Sequence, residues 1–177
     1  WAKEIGSNIY FIHNNIFESD DNILTSYNVS TGETQIIGFT FNNQWAKYII
    51  TSSKVVIPVR KKKNSTNDLL IVDSDKSLFL SDIQEKFNYK DLNFIGFFDD
   101  GMVFSGNMAK IGREPFFTRF EKNDAVLIND IKTDSPEGSG TSNLFQYGSD
   151  LYFTVEGQNH SFNIIKTNGN KNSILEI

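Results

Sequence analysis

The sequence predicts an all-β fold, and three observations carry that expectation. A hydrophobic tripeptide recurs after a polar or small residue, as Asn8-Ile9-Tyr10-Phe11, Lys54-Val55-Val56-Ile57, Gly101-Met102-Val103-Phe104 and Asp150-Leu151-Tyr152-Phe153. The first apolar members fall at 9, 55, 102 and 151, so the spacings are 46, 47 and 49. Trp1-Ala2-Lys3 returns as Trp45-Ala46-Lys47, a second mark of nearly the same period. Each period then divides into strand-like runs bounded by turn signals. Finally, the 177 residues include 16 Phe and 6 Tyr with abundant Ile and Asn. Phe, Tyr and Ile suit pleated, half-buried surfaces, and Asn suits tight turns.

The elements follow in chain order. In the first period Ser30-Thr31-Gly32 separates runs 23–29 and 34–39. In the second, residues 73–76 separate runs 69–72 and 78–80. The third carries runs 94–98, 102–105, 115–120 and 125–131, with Asp99-Asp100-Gly101 and residues 121–124 as turns. The fourth carries runs 143–147, 150–156, 162–167 and 173–177. Gly148-Ser149, the polar stretch 157–161 and Asn168-Gly169-Asn170 divide them; Asn-Gly between apolar runs marks a hairpin, because both residues accept positive φ. Alternation puts Leu151, Phe153 and Val155 on one face and Tyr152, Thr154 and Glu156 on the other. The matched positions are Ile9, Phe11 and His13 in the first period and Val55, Ile57 and Val59 in the second. The one helical candidate is 81–87, where Ser81 would cap and Gln84 would close a capping box.

Four strands in a unit of about 45 residues is the pattern of propeller blades. A small twisted sheet does not bury both its faces alone, but neighbours packed face to face do. The expected fold is therefore a β-propeller of four-stranded antiparallel blades. Four repeats are present, approximately 1–44, 45–92, 93–141 and 142–177, as a closed four-blade ring or a segment of a larger propeller. A β-sandwich also uses many short strands, but nothing in it requires matched sets. The chain opens on Trp1 rather than Met, and its natural N-terminus is expected to lie outside it.

Composition narrows the function. The formal net charge of −5 argues against a nucleic-acid partner, which requires a dense cationic face. The absence of cysteine removes disulfides and thiolate metal sites. No stretch reaches the roughly 18 apolar residues of a membrane-spanning helix.

The second halves of the repeats carry a family resemblance. Arg113-Glu114-Pro115-Phe116-Phe117-Thr118-Arg119-Phe120 runs on to 125–131, and Phe162-Asn163-Ile164-Ile165-Lys166-Thr167-Asn168-Gly169 runs on to 173–177. Both resemble degenerate copies of the bacterial Glu-Leu-Trp-x-x-Asp-Gly-Thr propeller repeat, and residues 134–153 resemble its next blade. Trp is missing from the Glu-Leu-Trp position and no copy keeps the full Asp-Gly-Thr turn. The resemblance implies a secreted or cell-envelope bacterial protein whose propeller serves binding or display. It implies no reaction.

Each chemical candidate has a plainer reading beside it. Arg60, Lys61, Lys62 and Lys63 form a run of like charge, a weak candidate for docking an acidic polysaccharide, lipid or protein. Lysines in such a place also keep a strand edge from pairing. His13 is a ligand or base at the ring's mouth, or a strand-end histidine bonded to a turn; His160 is a solvated loop residue. Asp73-Ser74-Asp75, Asp99-Asp100 and Asp20-Asp21-Asn22 offer oxygen ligands but lack the pattern of a calcium loop. Trp1, Tyr10, Trp45 and Tyr152 stack on sugars if exposed and fill the space between sheets if not. Asn28-Val29-Ser30, Asn64-Ser65-Thr66 and Asn159-His160-Ser161 match the glycosylation acceptor pattern. No phosphate cradle, nucleophile elbow or zinc-protease motif is present. The sequence thus marks no catalytic, cofactor-binding or metal-ligating residue. The expected function is a non-catalytic binding or scaffold module that engages a protein or polysaccharide partner through loops. The alternative is a glycan-processing propeller enzyme with carboxylates in the central channel.

Overall fold

The computed structural model describes residues 2–14, 21–41, 49–50, 54–62, 65–73, 76–85, 90–98, 100–128, 131, 139, 142–156, 162–168 and 175–176. The described residues are almost wholly strand, arranged as four antiparallel four-stranded sheets. Each sheet pairs strands that are consecutive in the chain. The chain divides into two compact units, Trp1–Leu80 and Ser81–Ile177.

In the first unit, β1 (Ala2–Ile5), β2 (Asn8–Asn14), β3 (Asp21–Asn28) and β4 (Thr34–Phe41) form one sheet in that order. The second sheet holds β5 (Ile49–Ile50), β6 (Lys54–Val59), β7 (Asp68–Asp73) and β8 (Lys76–Phe79). Asn28 builds the β3–β4 turn: its side-chain Oδ1 accepts the backbone N–H groups of Ser30 and Thr31, both at 2.9 Å. This local bond offers the backbone a turn in place of a continuing strand. It also gives the Asn of the first acceptor triplet a structural task.

The two sheets pack face to face. Tyr10 and Leu24 of the first meet Val55, Ile57, Val59, Leu70 and Val72 of the second, with Ile5, Ile12, Ile37 and Phe79 around them. The alternation expected in β6 is therefore visible as Val55, Ile57 and Val59 on the inner face. In β2 the inner residues are Tyr10 and Ile12, so Ile9, Phe11 and His13 lie on the sheet's other face. Gly38 permits the close approach of the two sheets, because a Cβ there would stand 2.8 Å from the carbonyl oxygen of Arg60.

A one-turn helix, α1 (Leu80–Ile83), precedes the third sheet. The expected capping box does not form. The helix begins at Leu80, which places Ser81 inside it, and Gln84 is fully buried with its amide directed elsewhere. Gln84 Nε2 donates to Asp124 Oδ1 at 2.7 Å and to the Glu121 carbonyl at 2.8 Å, while its Oε1 accepts the Ala125 N–H at 3.0 Å. A buried amide is held where its donors and acceptor all find partners, and the turn after β11 supplies them.

The second unit repeats the arrangement. β9 (Lys90–Phe98), β10 (Gly101–Met108), β11 (Gly112–Thr118) and β12 (Val126–Leu127) form the third sheet, with irregular register between β9 and β10. The fourth contains β13 (Ser142–Tyr147), β14 (Asp150–Glu156), β15 (Phe162–Thr167) and β16 (Leu175–Glu176). Phe98, Val103, Phe117 and Ile128 of one half pack against Leu151, Phe153, Val155 and Ile165 of the other. The buried carboxylate of Glu114 secures the connection between them. It accepts the Ser139 N–H at 3.1 Å, the Ser139 hydroxyl at 2.8 Å and the Ile131 N–H at 3.2 Å.

Candidate functional site

The face of the fourth sheet that turns away from this core is aromatic. Its geometry follows from the period of two. Leu151, Phe153 and Val155 are buried, so Tyr152, Thr154 and Glu156 point outward. Cross-strand register then places Phe145 opposite Tyr152, Tyr147 opposite Asp150, Phe162 opposite Glu156, Ile164 opposite Thr154 and Lys166 opposite Tyr152. Residues directly opposite share a face, so all of these lie together.

The apolar members are open to solvent: Phe145 is 57%, Tyr147 75%, Phe162 76% and Ile164 44% exposed. Such a cluster differs from the scattered single apolar residues of an ordinary surface. Phe145 and Tyr152 stack with centroids 5.0 Å apart. Gly148, at φ +61, closes the β13–β14 hairpin and fixes this register. At the polar edge Lys166 Nζ lies 2.8 Å from Asp150 Oδ2 and 6.0 Å from the centre of the Tyr152 ring. The hydrogen bond to Asp150, joined by that carboxylate's charge, holds the Lys166 ammonium above the ordinary lysine range.

The residues singled out in the sequence lie in several places. Arg60 is stitched to the first sheet by a two-way backbone bridge with Phe39, at 2.8 and 2.9 Å. Lys61 pairs with Asp68 at 3.6 Å and lies over the Phe79 ring at 4.6 Å. Lys62 is exposed in the turn it shares with Ser65. Lys63 lies outside the described residues. Among the described residues of the run, Arg60 and Lys61 are half-buried and Lys62 is exposed.

His13 Nε2 lies 3.1 Å from Thr25 Oγ1 on the neighbouring strand, and its ring leans on Phe11. Asp73 pairs with Lys54 at 3.4 Å and Asp100 with Arg119 at 3.0 Å. Tyr10 is buried between sheets, whereas Tyr152 belongs to the aromatic face. Trp1, Asp20, Trp45, Asp75, Asp99, His160 and the triplets at Asn64 and Asn159 fall wholly or partly outside the described residues. Among the described residues no group of three or more His, Asp or Glu is gathered to hold a metal ion, and no helix is long and apolar enough to cross a membrane.

Phe145, Tyr147 and Phe162 were not marked by sequence reasoning. The signal was Phe162-x-Ile164-x-Lys166, which alternates against Ile165 and Thr167. Both parities of that strand carry apolar residues, so alternation alone does not say which faces water.

The fold defines an all-β protein of consecutive antiparallel sheets, two to each compact unit. No protein-family model matches the chain, and no curated protein matches it. Among solved structures it is similar to the beta-propeller domain of the Trilobed protease from Pyrococcus furiosus, described as having an open velcro topology, with 12% identity and a TM-score of 0.49. That match covers 97% of this chain and 51% of the other, so the chain spans about half the length of the structure it matches.

Proposed function

We propose that the four sheets are propeller blades and that the chain is a binding or scaffold module of a secreted or cell-envelope protein. Consecutive four-stranded meanders, stacked face to face within each unit, support the blade reading. The single observation that carries the binding reading is the aromatic face of β13–β15. Its exposed rings supply contact area at low conformational cost, and partner surfaces use aromatic residues in this way. The Asp150–Lys166 pair adds a polar edge that orients a protein or glycan partner. Exposed Lys62 places a cation in a loop, where this architecture carries its variable contacts.

A glycan array and a panel of protein ligands, probed with the wild-type chain and with Tyr147→Ala and Phe162→Ala, test this reading. Retention that weakens about tenfold or more in both variants is the expected result. A hydrolysis screen on small glycosides runs beside it. Turnover that disappears on carboxylate substitution would replace the binding module with an enzyme.

A further inference from the structure

Of the three acceptor triplets in the sequence, Asn28-Val29-Ser30 is the one whose residues are all described. It lies in the turn between β3 and β4, at the end of the first sheet. The backbone there is held from several sides. The Asn28 N–H donates to the Glu33 carbonyl at 2.8 Å, the Gly32 N–H to the Asn28 carbonyl at 2.8 Å, and the Val29 N–H to the Ser7 carbonyl at 2.9 Å. Gly32 supplies the positive φ, +73, that closes the turn. Apart from the bond to Ser7, these contacts stay within residues 28–33, so the turn forms from its own sequence.

The two ends of the Asn28 amide are used differently. Oδ1 accepts the Ser30 and Thr31 N–H groups, both at 2.9 Å. Two donors on one atom fix which end of the amide is the oxygen. Nδ2 is therefore the end turned away from those N–H groups, and among the described residues it has no hydrogen-bond partner. The same holds for the Ser30 hydroxyl, since only the backbone N–H of Ser30 is engaged. Val29 is 54% exposed, and Ser30, Thr31, Gly32 and Glu33 are exposed beside it.

We infer that Asn28 is an acceptor for N-linked glycosylation, taking its sugar from a polyprenyl-diphosphate-linked donor. Acceptor chemistry requires an amide nitrogen and a hydroxyl two residues further on, at the surface. This turn offers both without a competing partner. In the transfer Nδ2 forms a bond to the anomeric carbon of the sugar, and the bond from that carbon to the diphosphate oxygen breaks. The proton shed by Nδ2 leaves with the diphosphate, and nothing is oxidised or reduced. The linkage adds to nitrogen alone, so both bonds to Oδ1 survive and the turn keeps its shape. The inference takes from the proposed function only the secreted or envelope location.

Production of the wild-type chain through a eukaryotic secretory pathway tests it, with Asn28→Asp, Ser30→Ala and Ser30→Thr beside it. The host supplies both the donor and the location, so failure here counts against the acceptor site and leaves the binding reading untouched. Intact mass and peptide mapping are expected to show a glycan on Asn28 of the wild type, released by an amidase that leaves an acid at that position. Asn28→Asp keeps an oxygen for the Ser30 and Thr31 N–H groups but lacks the nitrogen. Ser30→Ala keeps its N–H but lacks the hydroxyl. Both variants are expected to lose the glycan and keep the fold, checked by circular dichroism, and Ser30→Thr is expected to retain it. An Asn28 left unmodified in the secreted wild type, or a glycan there that survives Ser30→Ala, would overturn the proposal. So would a glycosylated chain whose circular dichroism departs from that of the amidase-treated one.

Discussion

Gly101 sits so close to Phe117 that a Cβ on it would stand 2.5 Å from Cζ of that ring and would press on the backbone carbonyl of Thr118. Phe117 belongs to the core shared by the third and fourth sheets, so the missing side chain at Gly101 is part of how that core fits. Replacing a strand glycine with alanine usually helps slightly, by reducing the freedom of the unfolded chain. Here overpacking reverses the sign. Gly101→Ala is expected to lower stability by about 1–3 kcal/mol, read by denaturant titration.

Glu114 is a buried acid that accepts three bonds from Ile131 and Ser139. Truncating it removes an acceptor from the Ile131 N–H and the Ser139 hydroxyl, while the Ser139 N–H keeps the Arg113 carbonyl at 2.7 Å. Glu114→Ala is expected to cost about 2–3 kcal/mol, and Glu114→Gln less, because the amide keeps one acceptor. Hydrogen exchange at the amide of Ile131 should rise in the alanine variant before that of Ser139, whose N–H keeps the Arg113 carbonyl.

Gln84 ties the segment after α1 to the turn that follows β11. Gln84→Leu preserves much of the volume but leaves the Ala125 N–H and the Asp124 carboxylate short of a partner. A loss of about 2 kcal/mol is expected, measured by thermal and denaturant unfolding. An unchanged midpoint would mean that water substitutes fully for the amide.

The Lys166–Asp150 pair has a definite pH signature. The folded lysine binds its proton more tightly than the unfolded one, whose value is 10.5. The stabilisation is therefore complete below 10.5 and is lost as pH rises through the higher folded value. Midpoints of wild type and Lys166→Met should differ near neutral pH and converge as pH rises through the folded lysine's value, which lies above 10.5. A difference that grows with alkalinity would contradict the assignment.

Much of this architecture is legible in local pattern. The runs 150–156 and 162–167 coincide with β14 and β15, because alternation marks the first and turn residues in the sequence flank both. β12 covers only Val126 and Leu127 where the run 125–131 was expected, because it pairs with just Phe116 and Phe117 of β11, which apolar content does not reveal. β9 starts at Lys90, ahead of the expected Phe94, because its first residues are mostly polar and gain their strand geometry by pairing with β10. Gln84 reads as a cap from its neighbours in sequence, but its partners are some 40 residues away. The aromatic face escaped for a related reason: whether Phe162 faces a core or water is decided by what covers the sheet.

The account depends on successive sheets stacking through their faces. A methyl-resolved NOE spectrum tests this most directly. It should show cross-peaks from the Val103 and Ile128 methyls of the third sheet's side to those of Leu151 and Val155. Leu151 and Val155 methyls that contact only residues of their own sheet would contradict it.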